Sequence, residues 1–432
     1  MRELLFEWQD LWTPEYKERS IDYSMLSGGV RKVILFTGCR RVGKTYMMFQ
    51  VIDHYKKEMK IDRNDIVYIN FEDERIERAK TTLTSFLPLL IELYGERDFH
   101  LFLDEIHHIP DWSRWVRRIY DRFKNIHIYL SSSSSKLSNK EIPGTMRGRT
   151  IGYEVFPLSF IEFLSFHDYD LTDPKHLSEV KKARIFGYLN EYLTYGGFPE
   201  VVLEKDIRKK RTIVQDYFKT IIALDICERY NVKNHTLMHN YIKLLLNSPF
   251  FSINKIYNTL RSLGIKVGKD TIIRYSQYVE DIYFSYFIPI FSYKIKDRMQ
   301  YQRKVYFIDN AFISQISTQF SDNKGRLMEN LVGLELIKKY GKENIFYWHD
   351  RSGNEVDFVI VEGLVVLKLI QVCYDIFSKD TKKREIKSLI KCADEIKCSN
   401  LIVINKDIKN MEKINDHTIQ FVPLYSWLLG ID

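Results

Sequence analysis

Lys44 and Thr45 close the segment "GCRRVGKT", in which Gly38, four variable residues and Gly43 match the GxxxxGK[ST] spacing. A match of this kind arises by chance in about one chain of this length in a hundred at average composition, so its surroundings decide what it means. The chemistry on offer is phosphate binding. Backbone N–H groups of a glycine-rich turn surround phosphate oxygens, a lysine reaches the outer phosphates, and a hydroxyl holds Mg²⁺. Gly38, Arg41, Gly43, Lys44, Thr45 and Tyr46 are the nucleotide-binding candidates of this stretch. Cys39 fills a variable position and reads as inert.

Such a cradle needs acidic partners, and "FHLFLDEIHHIPDW" carries them. An apolar run from Phe99 to Leu103 ends in Asp104 and Glu105. An acid at the C-terminal end of a strand lies beside the phosphate site of an open parallel sheet. Asp104 is placed to hold Mg²⁺ together with Thr45, and Glu105 to polarise an attacking water. Two more predicted strands end in polar residues: Ile66–Ile69 in Asn70, and Ile126–Leu130 in Ser131 and Ser132. Either could touch the γ-phosphate or hold Glu105, although the serine run also reads as a plain polar loop. Further on, Arg149, with Arg147 as the fallback, could stabilise transition-state charge across a subunit interface.

The elements that must position these groups are legible around them. "KVILFT" is an apolar, β-branched run of the kind that forms a buried strand. In "KTYMMFQVIDHYKKEM" the residues Met47, Met48, Val51, Ile52 and Tyr55 recur at helical spacing. Strand, glycine-rich turn and helix together are the context that a phosphate cradle requires. The predicted fold class is α/β: a parallel sheet core, a helical and winged-helix region, and a C-terminal nuclease-like α/β domain. The boundaries are set at residues 1–165, 166–312 and 313–432.

Length and composition agree. The chain has 432 residues, 45% hydrophobic and 14% aromatic, with 19 Gly and 10 Pro. That is a folded composition long enough for several domains. No apolar run approaches the roughly 20 residues needed to span a bilayer, and the start has no signal-peptide pattern. A cytoplasmic protein without membrane association is expected. Five scattered cysteines, none in a CxxC pair, make neither a zinc site nor a disulfide framework. A formal net charge of +8 leans mildly toward polyanionic partners.

Taken in order, "LFTGCRRVGKT", "YINFED", "LFLDEIHHIPDW", "MRGR" and "FPLSFIEF" resemble a family of prokaryotic AAA+-related ATPases frequent in archaea, and the resemblance runs on through "YLTYGGFPEVV" into the C-terminal half. It implies ATP and Mg²⁺ as cofactors and a homo-oligomer, for which a hexameric ring is one candidate. It makes Asn70 similar to the residue that restrains the catalytic glutamate. Ser131 or Ser132 falls at a sensor position where the family more often has Thr-Gly-Ser. "GGFP" is similar to a GxP motif whose proline, here Pro199, packs near adenine; an ordinary turn between helices is the equal alternative.

Residues 168–247 read as mostly helical, with "RKKR" at 208–211 a solvated helix start. A helix starting at Ser252 and stopped by Gly264, a second from about Asp270, and strands around Tyr283–Tyr293 and Val305–Ile308 make a winged-helix pattern. Its hairpin tip carries Lys294, Lys296, Arg298, Arg303 and Lys304, and its second helix Lys266, Lys269 and Arg274. Of these, Lys269, Arg274, Lys294, Lys296 and Arg298 are the DNA-phosphate candidates; packing against protein is the competing use. In the last domain Glu329, Asp357 and the third motif, Gln371-Val372-Cys373, resemble a PD-(D/E)XK nuclease in which the second carboxylate and the lysine are missing. The expected outcome is a retained fold and a lost nuclease. Three functions follow: an ATPase coupling turnover to conformational work on DNA or a DNA-bound partner, a slow nucleotide-state switch serving as a scaffold, and an ATPase-coupled nuclease.

Overall fold

The computed structural model describes residues 1–10, 13–26, 29–133, 146–169, 171, 174, 176–317, 324–376 and 378–431. The serine run beyond Ser133 lies outside them. The chain divides into two compact units, the first made mainly of Met1–Phe156 and the second of Pro157–Glu280 with Phe284–Asp432.

The first unit is built on the strands β1 (Val33–Thr37), β2 (Ile66–Asn70), β3 (Phe99–Asp104), β4 (Ile126–Ser132) and β5 (Thr150–Glu154). They form one sheet in the order β2-β3-β4-β1-β5, parallel throughout. A parallel sheet covered on both faces needs apolar residues on both sides of each strand, and β1 is buried at all five positions. Helices α1 (Arg2–Asp10), α2 (Lys44–Lys57), α3 (Lys80–Tyr94) and α4 (Trp112–Arg122) belong to this unit. On α2 the predicted stripe of Met47, Met48, Val51, Ile52 and Tyr55 is buried. Each such side chain contributes at most about 1.5–3 kcal/mol.

Register decides what meets at the site. Asn70 lies beside Asp104, Leu103 beside Leu130, and Thr37 beside Ser132. The polar strand ends therefore line the C-terminal edge of the sheet, where doubly wound folds bind ligands. Arg149 precedes β5 at the other edge, and its carbonyl accepts the Val33 N–H at 2.8 Å. The length of β1, about 17 Å at 3.3 Å per residue, separates it from the glycine-rich turn.

The second unit opens with helices at Phe160–Phe166, Glu179–Tyr195, Pro199–Leu203, Ile207–Thr220 and His235–Leu246, with a π-helical turn at Ile221–Glu228. Lys210, expected in a solvated helix start, is 3% exposed and donates to Glu191 at 2.8 Å. Its neighbours read as surface charge, but the helix turns this one position inward. Next come helices Ile253–Ser262 and Lys269–Asp281 and an antiparallel sheet of β6 (Phe250–Phe251), β8 (Arg303–Phe307) and β7 (Ser285–Ile288), in that order.

Two expectations need correction here. The strand expected over Tyr283–Tyr293 is shorter, and what was read as a hairpin tip holds a short helix, Ile295–Gln300. Ser292 braces its start: the hydroxyl accepts the Lys294 N–H at 3.1 Å and donates to Asp297 at 2.8 Å. Lys304 is not at the tip but inside β8 and 2% exposed.

The chain ends in a six-stranded mixed sheet ordered β13-β14-β12-β11-β10-β9, comprising β9 (Ile345–His349), β10 (Glu355–Glu362), β11 (Val365–Cys373), β12 (Leu401–Asn405), β13 (Asn410–Ile414) and β14 (His417–Pro423). "NLIVIN" reads as a buried strand ending the chain's alternation of strands and helices. It is β12, and two more follow, joined through Asn415 at a positive φ of 53°. β13 escaped notice because it is a polar edge strand.

Candidate functional site: a nucleotide cradle beside two acids

The turn after β1 requires its glycines. Gly38 has φ 148°, and a Cβ there would lie 2.2 Å from the Val155 carbonyl oxygen. Gly43 has φ 96° and caps α2. Lys44 follows, only 5% exposed, with its ammonium 3.2 Å from the carbonyls of Gly38 and Cys39 and 3.5 Å from Glu105 Oε1. Arg41 sits in the left-handed region at φ 69°. Tyr46 is half exposed at the start of α2, its ring edge-on to Phe49.

Thr45 Oγ1 donates to Asp104 Oδ2 at 2.7 Å. The same oxygen accepts from the Tyr68 hydroxyl at 2.9 Å, and Ser131 donates to Oδ1. Burial pushes the Asp104 carboxyl up, and so does the Glu105 charge; the three hydroxyl donors oppose them. These hard oxygens, one carboxylate and one hydroxyl in contact, suit Mg²⁺, which binds through one or two protein oxygens plus phosphate and water.

Glu105 is held in a left-handed conformation, φ 48°, which is uncommon for a residue with a side chain and clusters at functional sites. Its N–H donates to Ser131 Oγ at 2.9 Å, and its Oε2 accepts the Ser133 N–H at 3.1 Å and meets His107 Nδ1 at 3.1 Å. Burial pushes this carboxyl up, but the Lys44 ammonium, His107 and Arg40 outweigh it and hold it well below the usual range. An ionised carboxylate beside a phosphate cradle can accept a proton from water.

Asn70, proposed by resemblance to restrain Glu105, caps a local turn: its Oδ1 accepts the Glu72 N–H at 2.9 Å. Glu72 in turn meets Arg40 and His108, each at 3.4 Å. Sequence reasoning missed Tyr68 and His107. Tyr68 reads as a strand core residue, and His107 looks interchangeable with its neighbour His108.

Arg149 makes a two-pronged pair with Asp121 at 2.7 and 3.1 Å. At the far edge of the sheet it cannot serve its own cradle. Pro199 opens the helix Pro199–Leu203 in the second unit. The two glycines before it are required by packing: a Cβ on Gly196 would collide with the buried Asp309 carboxyl, which accepts the Gly197 N–H at 2.7 Å, and a Cβ on Gly197 would lie 2.4 Å from the Leu158 carbonyl oxygen. Burial pushes Asp309 up to about 7.

Among the basic candidates Lys269, Arg274, Lys294 and Lys296 are exposed, while Arg298 is half-buried and donates to the Ser292 carbonyl at 2.6 Å. Glu329 and Asp357 come together, around a lysine that the sequence placed at the hairpin tip. Lys304 Nζ lies 2.8 Å from Glu329, 2.6 Å from Glu355 and 2.6 Å from Asp357. Burial pushes Asp357 up to about 7 against the pull of Lys304. Gln371 is engaged with Glu385 at 2.7 Å, and Cys373 Sγ with the Asp375 carbonyl at 3.4 Å. All five cysteines are free and buried. No helix among the described residues is long and apolar enough to cross a membrane.

One family match agrees with the geometry of the first unit. Residues 30–164 match the family model described as an AAA domain. Residues 187–323 and 324–427 match two domains of unknown function, DUF8612 and DUF4143. A protein of Methanocaldococcus jannaschii called "Uncharacterized protein MJ1544" is 37% identical over 411 residues, covering 92% of this chain and 88% of that one. An "Uncharacterized protein" of Haemophilus influenzae is 26% identical over 400 residues, covering 91% and 94%. Likenesses to solved structures are slight. The Walker-type ATPase paby2304 of Pyrococcus abyssi has a TM-score of 0.41 at 12% identity, over 66% of this chain and 91% of that one. The Orc1 protein of Aeropyrum pernix, solved in complex with DNA, has 0.30 at 12%, over 68% and 88%.

Sheet order, cradle and acids define a P-loop protein of the AAA type. The chain belongs to the same family as MJ1544 of Methanocaldococcus jannaschii, and its residues 30–164 form an AAA domain of the P-loop ATPase type.

Proposed function

We propose that the protein binds Mg-ATP at the Gly38–Thr45 cradle and hydrolyses it, using the turnover for conformational work. The observation that carries this is the ionised, constrained Glu105, 3.5 Å from Lys44 and tied through Ser131 to Asp104. A pure switch needs the cradle but not a glutamate held in this way. Lys44 positions the outer phosphates; Thr45 and Asp104 hold the Mg²⁺, which supplies charge neutralisation on the phosphates; Glu105 takes the proton of the attacking water. Arg149 then works in trans, in a homo-oligomer, released from Asp121 toward a neighbouring cradle.

The region from Phe250 to Phe307 is read as a winged helix. Exposed Lys269, Arg274, Lys294 and Lys296 favour backbone contact with DNA. Residues 313–432 are read as a nuclease-like fold without nuclease activity. ATP turnover measured with and without duplex DNA tests the first two statements together: Mg²⁺-dependent turnover that DNA changes supports both, turnover indifferent to DNA removes the second, and none at all removes the first.

A further inference from the structure

We propose that the Lys304 ammonium is the resident cation of the C-terminal carboxylate cluster, standing where a divalent metal would stand and pinning β8 to the segments that follow it. This deepens the reading of that region as a fold without nuclease activity, and it is independent of the ATPase reading.

An ammonium has three hydrogens to donate. Lys304 donates to Glu329, on the helix Lys324–Tyr340, at 2.8 Å and to Asp357 on β10 at 2.6 Å, and pairs with Glu355, also on β10, at 2.6 Å. The rings of Phe250 and Tyr347 lie within 6.0 Å of Nζ. Two of the three carboxylates are further engaged: Glu329 Oε1 also accepts from Tyr306 at 2.8 Å, and the other oxygen of Asp357 accepts the Val372 N–H at 2.8 Å. A divalent cation needs oxygens at about 2.0–2.6 Å around its own centre, and that centre is the position of Nζ. With the ammonium in that position, no group of three or more His, Cys, Asp or Glu among the described residues could hold a metal ion.

The lysine also crosses a boundary. It lies within residues 187–323, whereas its three partners lie within 324–427, two regions that match separate family models. Removing one member of a buried ionic group leaves uncompensated charge and is strongly destabilising. Lys304 therefore adds a buried ionic tie between the two regions, beside bonds such as the Phe307 N–H to Asn330 at 2.7 Å.

The test uses nucleotide-free, full-length protein and Tb³⁺ luminescence sensitised by tyrosine, with Tyr306 and Tyr347 beside the cluster. The wild-type titration is expected to match that of Asp357→Asn. Lys304→Met is expected to melt roughly 5 °C or more lower and to gain a saturable Tb³⁺ site that Lys304→Met/Asp357→Asn lacks. Ca²⁺ should then raise its melting temperature. A Tb³⁺ site in the wild type that Asp357→Asn removes would overturn the proposal, as would a Lys304→Met protein that melts like wild type and gains no site. So would Mn²⁺-dependent DNA cleavage by the wild type that Lys304→Met abolishes. If Lys304→Met does not fold, the comparison of wild type with Asp357→Asn still decides.

Discussion

Ser131 Oγ bridges the two acids of the site: it donates to Asp104 and accepts the N–H of Glu105 at 2.9 Å. One hydroxyl at the end of β4 thus sets both the carboxylate that would hold Mg²⁺ and the backbone of the residue that would activate water. Ser131→Ala should keep ATP binding, because Lys44 and the glycine turn are untouched. It should lower turnover by about tenfold or more, since a buried carboxylate loses a donor. Equal turnover in the variant, measured by phosphate release, would show that the bridge is only structural.

Lys44→Ala should abolish productive binding of ATP. The ammonium is buried and sits over the carbonyls of Gly38 and Cys39. Isothermal titration with a non-hydrolysable ATP analogue checks this, and unchanged affinity would move the nucleotide elsewhere.

The pH dependence of turnover should respond to His107. Glu105 has its carboxyl lowered by Lys44 and His107 against the effect of burial. A lowered pKa keeps the base ionised at and above the ordinary glutamate value of about 4.3 and loses it only as pH falls further. Removing one of the groups that lower it raises the pKa, so the acid limb of the rate profile in His107→Ala should move to higher pH. A profile that does not move, with the rate merely scaled, contradicts the assignment.

The cradle and both acids were legible because they are local: strand, glycine spacing and helix all fall within short windows, and the acids mark a strand's end. β2, β3 and β4 begin where the apolar runs begin and extend one or two residues past them. What could not be read were side chains whose meaning depends on distant partners. Lys304 follows Arg303 and looks like surface charge until β8 is set against Glu329, Glu355 and Asp357. Tyr68 looks like core until register puts β2 beside Asp104. Asn70 was assigned by resemblance to a role that its own turn hydrogen bond to Glu72 does not display.

If Arg149 acts across a subunit interface, Arg149→Ala should bind ATP normally and hydrolyse it slowly. Mixing it with Glu105→Gln protein should restore part of the activity, because mixed interfaces then contain an intact arginine and an intact glutamate. A monomeric protein with full activity at every concentration would end this idea. The pairing with Asp121 gives a second handle, since Asp121→Ala frees the arginine without removing it.

For DNA, replacing Lys294, Lys296 and Arg298 by Ala should flatten the log–log salt dependence of binding by roughly two to three units, with affinity falling about equally for all sequences. Arg298 is partly committed to the Ser292 carbonyl, which favours the lower figure. Identical slopes, with a change in assembly instead, would assign this surface to a protein partner.

The central claim is that Glu105 is the base of an ATPase. Single-turnover hydrolysis of ATP with saturating Mg²⁺, comparing wild type with Glu105→Gln, tests it most directly. The account predicts that the variant binds ATP about as well as wild type and that its hydrolysis step slows about a hundredfold or more. Hydrolysis at the wild-type rate in Glu105→Gln, with ATP bound, would contradict it.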